Sequence, residues 1–498
     1  MFLAKNGEEA CAMVRAYLPE LMLVDVAMPT MNGYEVCENV KTDPLTQDIP
    51  IIMVTAKNEI EDVERAFDIG AMDYIRKPFD PRELIVRVRT ALELKHSSDA
   101  LHRWTRKMSR ELELAGSFQR TLMSTAPFLT QEIEVRIAYR PSLDVGGDVF
   151  DIIPLSDGRI CVYASDICGH GVAQAMLSSM VKATLAELIP NLAHAGVSAI
   201  CAQLHRRFRE QIEDPSLYAT VFICILDPAT NQAQCLNCGH PSPIRLGPDH
   251  EVQKDIFNEK GGFPIGLAVA DDSPCSEEDK VDWEMVQGSS LFIYTDGLTE
   301  ARHKDTNREC GKEKLIKFSE EVCKDDTITD PSSEVFEMIK RAGYRLDDDC
   351  TGVFIQLVDP ESVVASEKIP CILSAIPDIA MKASQKLGGR AWPEKVVTLV
   401  ELLIIEHCTN VLDHGAPPEN SFINMQLRVS ENICKLLFVD KGRKWGHERR
   451  LAQASFPRQE SERGRGLTIL KRIANFIEIH RRNNENIIFY TVPRNLAF

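Results

Sequence analysis

Apolar and polar residues alternate in two rhythms along the first hundred positions. Short apolar runs at 21–24, 51–54 and 71–75 predict strands, while 58–69 and 81–94 carry the three-to-four-residue spacing of amphipathic helices. Strands alternating with helices predict a parallel α/β sheet. Between 101 and 122 the helical pattern continues, with Leu101, Met108, Ala115 and Leu122 seven apart and Trp104 and Phe118 at the companion positions. Glu111 interrupts the second row, so the segment is either a short dimerising coiled coil or an ordinary amphipathic helix.

From 130 to 360 the pattern changes. Short β-rich runs at 159–164, 219–226, 290–294 and 351–358 surround two helical segments near 172–188 and 197–212, which predicts an α+β domain. A charged stretch at 359–368 then precedes a long amphipathic helix over 393–412, strands at 421–428 and 433–439, and a helix near 466–477.

Composition narrows the possibilities. At 498 residues, with 44 % hydrophobic and 26 % charged positions, the chain is an ordinary globular one of several domains rather than a single small module. Acidic residues outnumber basic ones by 74 to 57, a net −17, which argues against non-specific nucleic-acid binding and against a basic membrane anchor. The balance reverses over 441–498, where 13 Lys and Arg face 5 Glu, a local +8 suited to a polyanion such as a nucleotide or simply to a solvated basic face. Several of the 15 cysteines lie in apolar runs, so they read as buried reduced thiols. No secretory pattern opens the chain and no run of about 18 uninterrupted apolar residues occurs, so a cytoplasmic location is expected.

Chemistry enters first at Asp25-Val26-Ala27-Met28-Pro29, where an aspartate closes an apolar strand at the edge on which open α/β sheets hold their ligands. Two later strand ends supply Thr55 and the Lys77-Pro78-Phe79 run, a hydroxyl and an ammonium able to hold a phosphoryl group on that carboxylate. The constellation resembles the receiver domain of bacterial two-component response regulators. The resemblance implies Asp25 as phospho-acceptor, Thr55 as switch hydroxyl and Lys77 as phosphate-binding lysine, with an upstream sensor kinase as partner of a complete receiver. Asn6-Gly7-Glu8-Glu9-Ala10 matches the start of the family's second helix, so the first βαβ unit and its Mg²⁺-binding acidic pair have no counterpart here. The expectation is that the chain as written does not take phosphate at Asp25.

A second set consists of four carboxylate motifs: Gly146-Gly147-Asp148 with Asp151, Asp166 before Gly169-His170-Gly171, Thr295-Asp296-Gly297, and Asp347-Asp348-Asp349-Cys350-Thr351. Aspartates at strand ends beside glycines can gather around hard divalent cations, which prefer oxygen, and two such ions lower the pKa of a shared water and stabilise in-line attack on phosphorus. With Glu111-Leu112-Glu113-Leu114-Ala115, Asn237-Cys238-Gly239-His240-Pro241 and Pro264-Ile265-Gly266-Leu267, the set resembles the metal-dependent PPM serine/threonine phosphatases of the SpoIIE and RsbU type over 111–358. The resemblance implies two Mn²⁺ or Mg²⁺ ions, with Asp166 bridging both, Asp148 binding one through water, and Asp296 and Asp348 as direct ligands. The Ile167 carbonyl is a further candidate ligand, and His170 and His240 read as structural.

The third set is Glu406-His407-Cys408-Thr409-Asn410 on the long helix, followed by Asp440-Lys441-Gly442 after a strand and Gly464-Arg465-Gly466-Leu467 at a helix start. Together these resemble the GHKL ATP-binding domain, specifically the RsbW-type anti-sigma serine kinases, over 370–495. The resemblance implies Glu406 as general base, Asn410 as Mg²⁺ ligand, Asp440 as adenine contact, and Gly442, Gly464 and Gly466 in the nucleotide loops. One departure is that the glycine after Gly442 is Gly446, with Arg443-Lys444-Trp445 between them.

The expected whole is a multidomain α/β and α+β chain. It comprises an incomplete flavodoxin-like receiver (1–95), an α-helical linker (96–126), a PPM-type β-sandwich flanked by helices (127–360) and a GHKL-type α/β sandwich (365–498). The resemblances imply a STAS-like anti-sigma-factor antagonist as shared protein substrate, a sigma or anti-sigma factor as a further partner, and a homodimer through the linker, with neither nucleic acid nor membrane as a partner. Whether the last domain transfers phosphate or only sequesters its partner stays open at this level.

Overall fold

A computed structural model describes residues 1–55, 60–130, 132–143, 145–169, 171–258, 261–267, 274–444, 473–474, 476–482 and 484–495. The chain divides into two compact units, Met1–Leu112 and Glu113–Phe498.

The first unit has a three-stranded parallel sheet in the order Met22–Asp25, Ile51–Thr55, Asp73–Arg76, as its alternation of strands and helices requires. The central strand is buried along its whole length, which explains its uninterrupted apolar sequence. Helix Gly33–Thr42 starts at a capping box in which Asn32 and Glu35 satisfy each other's backbone amides, a signal the hydrophobic pattern alone did not register. The helices expected at 81–94 and 101–122 are one continuous helix, Pro81–Leu122, because neither Gly nor Pro interrupts the stretch between Pro81 and Gly116. Leu101, Trp104, Met108 and Phe118 on it are solvent-exposed.

In the second unit, two antiparallel five-stranded sheets stack face to face. One runs Ile244–Leu246, Ser290–Tyr294, Cys350–Leu357, Ile133–Arg140, Phe128–Leu129; the other Val281–Glu284, Gln232–Cys238, Ala219–Asp227, Ile160–Ile167, Val149–Pro154. Val135, Ile293 and Val353 of the first sheet and Val162, Phe222 and Leu236 of the second share one core with helices Val172–Leu192 and Val197–Gln211. Helices Gly311–Lys324 and Pro331–Arg341 cover the other face of the first sheet through Leu315, Val335 and Ile339. This is the helix-flanked sandwich expected from the sequence. By mean hydropathy the stretch Val172–Ala195 is long and apolar enough to be weighed as a membrane span, a feature the search for uninterrupted apolar runs passes over; Val181, Leu185 and Ile189 within it are buried in the sandwich core.

A third antiparallel sheet, in the order Val363–Pro370, Phe422–Val429, Ile433–Asp440, Glu485–Pro493, Phe476–Arg482, is covered on one face by helices Ile376–Gly388 and Glu394–His414. The segment 476–477, expected to end a helix, instead begins a strand: Phe476–Arg482 pairs with the following strand as a hairpin, and cross-strand pairing overrides the helical spacing read there. The rest of that expected helix falls mainly outside the described residues.

The open face of the third sheet rests on the sandwich. Leu437, Ile487 and Phe489 pack with Leu129, and around them lies a buried ionic seam. Arg136 Nε donates to Glu134 Oε1 (2.7 Å) and its Nη1 to Glu478 Oε2 (2.5 Å), with its guanidinium 4.3 Å above the Phe489 ring. Arg428 Nη1 donates to Glu134 Oε2 (3.0 Å) and Nη2 to the Thr130 carbonyl (2.7 Å). At the rim, Asp326 accepts from both the backbone and the side-chain amide of Asn432. A cavity of about 670 Å³ opens along this seam.

Candidate functional site

Strand register brings the four aspartate motifs to one end of the sandwich. Asp148 precedes Val149–Pro154 and Asp166 lies near the end of the antiparallel Ile160–Ile167, while Asp296 follows Ser290–Tyr294 and Asp348 precedes Cys350–Leu357. Each sheet therefore contributes two. Burial raises the Asp166 pKa to about 8, and the charges of Asp296, Asp348 and Asp349 add to the effect. Burial and the Asp166 charge also hold Asp148 well above the usual carboxylate range, and Asp296 is raised by burial and by Asp348. Mutually destabilised carboxylates of this kind form an all-oxygen donor set suited to a hard divalent cation. As placed, no three His, Cys, Asp or Glu side chains among the described residues stand close enough to enclose a single ion.

Hydrogen bonds assign different tasks to the acids. Asp148 Oδ2 accepts from Thr295 Oγ1 (2.9 Å) and Thr351 Oγ1 (2.6 Å), linking the two sheets, while its buried Oδ1 has no partner among the described residues. Asp349 is spent on the loop ahead of Asp148: its Oδ1 accepts from the Ser142 amide (2.6 Å) and hydroxyl (2.9 Å), and its Oδ2 from the Gly147 amide (2.5 Å). Asp348 accepts a bond from the Asp349 amide (2.7 Å) and has no such structural duty, which distinguishes it within the run of three aspartates.

The Gly146-Gly147-Asp148 loop is also gripped by Gln119, near the end of the long helix. Gln119 Nε2 donates to the Gly146 carbonyl (2.6 Å) and to Ser178 Oγ (2.8 Å), and its Oε1 accepts from the Gly146 amide (3.0 Å). The residue is buried, and neither periodicity nor the motifs singled it out. At Gly147 a Cβ would sit 1.9 Å from Gln174 Nε2, so close approach requires glycine. Gln174 Nε2 donates to the Ile167 carbonyl (2.7 Å), the group considered as a further ligand. His240 is buried, meets Thr220 Oγ1 at 2.9 Å and is pushed by burial to a pKa of about 3. His170 lies outside the described residues.

In the first unit Asp25, Thr55 and Lys77 lie at adjoining strand ends. The Lys77 ammonium pairs with Asp25 Oδ2, Asp25 Oδ1 accepts from the Ala27 amide (3.2 Å), and the Lys77 amide donates to the Thr55 carbonyl (2.8 Å).

In the third sheet region, Glu406 and Asn410 stand one turn apart on Glu394–His414 and are half-buried. His407 between them anchors the helix to the sheet: it is buried, meets the Tyr490 hydroxyl at 2.9 Å and stacks on Phe438 with centroids 3.9 Å apart. The Asn410 Nδ2 is buried without a partner among the described residues. Asp440 closes the Ile433–Asp440 strand; its Oδ1 accepts from the Gly442 amide and from Asn486 Nδ2, both at 2.8 Å, and its Oδ2 is buried and has no partner among the described residues. A lone buried acceptor is what a purine amino group would satisfy, so these residues fit a bound adenine nucleotide. Gly464 and Gly466 lie outside the described residues.

Comparison with known families fits this division of the chain. Residues 1–89 match the response regulator receiver domain, 156–358 match stage II sporulation protein E (SpoIIE), and 373–491 match the histidine kinase-like ATPase domain. The chain therefore carries, in order, a receiver-like region, a SpoIIE-like PPM phosphatase region and a GHKL-like ATPase region. Among curated proteins, the probable transcriptional regulator ycf27 of Porphyra purpurea is 45 % identical over 89 residues, covering 18 % of this chain and 35 % of the relative. The phosphate regulon regulator PhoB of Pseudomonas aeruginosa is 44 % identical over 89 residues, covering 18 % and 39 %. The chain thus spans little more than a third of the length of these relatives. A crystal structure of RsbU and RsbW domains from Mycobacterium tuberculosis is 18 % identical, covers 74 % of this chain and 95 % of its own, and has a TM-score of 0.43. PPM phosphatases depend on Mn²⁺ or Mg²⁺, and the ATPase domain implies ATP.

Proposed function

We propose that this chain dephosphorylates phosphoserine or phosphothreonine on a small STAS-like anti-sigma-factor antagonist, and that its C-terminal domain rephosphorylates the same partner from Mg²⁺-ATP. The observation that carries the reading is the gathering of four carboxylates from two sheets at one sandwich end, Asp148 buried, Asp166 and Asp296 half-buried and Asp348 exposed, in which Asp166 raises the pKa of Asp148, Asp296 and Asp348 raise that of Asp166, and Asp348 raises that of Asp296. In this reading Asp166 bridges two Mn²⁺ or Mg²⁺ ions, Asp296 and Asp348 ligate directly and Asp148 acts through water. The ions supply an activated water and charge neutralisation at phosphorus. The protein's own part is to hold the loop: Gln119 and Asp349 fix Gly146 and Gly147, and the two threonines fix Asp148. In the ATPase domain Glu406 is the general base, Asn410 the Mg²⁺ ligand, Asp440 the adenine contact, and Gly442, Gly464 and Gly466 line the nucleotide loops.

A cytoplasmic location, a homodimer formed along Leu101, Trp104, Met108 and Phe118, and a sensor kinase acting at Asp25 only where the receiver is complete, the chain as written taking no phosphate there, complete the proposal. The domain limits proposed are those read from the sequence. A second reading, in which the C-terminal domain sequesters a sigma or anti-sigma factor without transfer, is favoured by the three residues that separate Gly442 from Gly446.

Asp166→Asn removes a carboxyl whose ionised form burial and the neighbouring acids disfavour in the metal-free protein. Metal-free variant protein should melt at or above the wild-type temperature, while Mn²⁺-dependent hydrolysis of a phosphoserine peptide falls by a factor of at least about 10². Full activity in the variant, or in excess chelator, refutes the phosphatase assignment.

A further inference from the structure

Three neighbouring strands place Arg481, Asn486 and Asp440 in one cross-strand row: Asn486 pairs in register with Asp440 on one side and with Arg481 on the other. Arg481 Nη1 donates to Asn486 Oδ1 (2.9 Å) and to the Gly442 carbonyl (3.2 Å). Asn486 Nδ2 donates to Asp440 Oδ1 (2.8 Å) and to the Arg443 carbonyl (3.1 Å). Both Asn486 and Asp440 are 1 % exposed. This network admits one orientation of the Asn486 amide. Only its carbonyl can accept from a guanidinium, and only its NH₂ can serve a carboxylate and a backbone carbonyl.

From this row we infer that Arg481 and Asn486 are positioning residues that make the nucleotide site select adenine over guanine. The inference rests on the ATP-binding reading above and concerns residues to which neither the sequence motifs nor the family resemblance gave a role. Asp440 alone could turn its carboxylate toward whichever donor a purine offers. Clamped through Oδ1 by Asn486 and by the Gly442 amide, it cannot turn, and it presents one fixed, buried acceptor, Oδ2. The adenine amino group satisfies that acceptor. A guanine seated in the same way brings a carbonyl oxygen instead, leaving two acceptors facing each other in a dry pocket, and the clamp prevents Asp440 from re-aiming at the guanine ring N–H. Sites built on a fixed buried polar group reject a mismatched ligand far more strongly than apolar pockets do. Arg481 acts at one remove: its charge-assisted bond fixes the Asn486 amide, which fixes the carboxylate.

The test is calorimetric titration of the full chain with MgATP and with MgGTP. Wild type should bind ATP at least about 100-fold more tightly than GTP. Asn486→Leu should reduce that ratio roughly tenfold or more, chiefly by admitting GTP, and Arg481→Met, a half-buried position where folding is least at risk, should move it in the same direction. A ratio that stays at the wild-type value in both variants, including the case where both nucleotides weaken equally, overturns the inference and marks the row as purely structural. Wild-type protein that binds neither nucleotide overturns the ATP reading itself, a result distinct from an unchanged ratio.

Discussion

Replacing Arg136 with methionine tests how firmly the ATPase domain is held to the phosphatase sandwich. The Arg136 side chain is 4 % exposed and bonded to two carboxylates, one on each side of the seam, so Arg136→Met removes both bonds and keeps most of the contact with Phe489. Glu134 retains Arg428, whereas Glu478 keeps, among the described residues, His480 at 3.8 Å. Deleting one partner of a buried ion pair costs about 3–5 kcal/mol, because the remaining charge stays desolvated. For the unit Glu113–Phe498 the expectation is a fall of roughly 4–6 °C in melting temperature.

The same seam predicts a pH profile. Burial alone would raise Glu134, but Arg136, Lys435 and Arg428 bring it from 4.5 down to about 2. A carboxyl with a depressed folded-state pKa contributes its stability fully above the unfolded value and loses it as the pH falls through the folded one. The contribution, about 3 kcal/mol at neutral pH, should therefore disappear between pH 4.5 and about 2. Scanning calorimetry at neutral pH and in steps down to pH 3 reads both effects. In the double variant Arg136→Met, Glu478→Met, part of the lost stability should return, since the orphaned charge is gone. Arg136→Met protein melting within about 1 °C of wild type, with an unchanged acid limb, would refute the reasoning.

Two further outcomes concern the catalytic regions. Gln119→Leu leaves the Gly146 amide and carbonyl without their side-chain partner, and displacement of the Asp148 loop should lower phosphatase kcat by about 10–100-fold and shift the Mn²⁺ titration midpoint upward, which assays across a metal series would detect. Glu406→Gln should bind MgATP within a few-fold of wild type yet abolish phosphate transfer to the antagonist, whereas Asn410→Ala should weaken MgATP binding itself; calorimetry paired with a labelled-phosphate transfer assay separates the two.

Much of the architecture was readable because its strands and helices carry strong periodicity. Ile51–Thr55, Ser290–Tyr294 and Cys350–Leu357 are buried on both faces and announce themselves as apolar runs. Asp296 follows one such run and Asp348 precedes another, so one pattern located both strand and acid. Local pattern failed where distant partners decide the outcome. The hairpin beginning at Phe476 looks helical until its partner strand is known, and Pro81–Leu122 is continuous although its two halves differ in how much they bury. Gln119, Gln174, Arg481 and Asn486 were invisible for a related reason. Each is an ordinary polar residue whose role comes from hydrogen bonds across 5 to 59 positions of sequence, and nothing in its neighbourhood distinguishes it.

The seam between the third sheet and the sandwich also bears on how a cell could set the balance between two opposing activities. Where a kinase and a phosphatase are separate molecules, their ratio follows gene expression and drifts with it. Here Arg136 and Arg428 fasten the ATPase domain to the phosphatase within one chain, so on the proposed reading the two are present one to one in every copy. Changing the amount of protein would then alter how fast the antagonist's phosphorylation level is reached and leave the level itself unchanged. That level would be tuned only by what occupies the sites: divalent metal at one, nucleotide at the other.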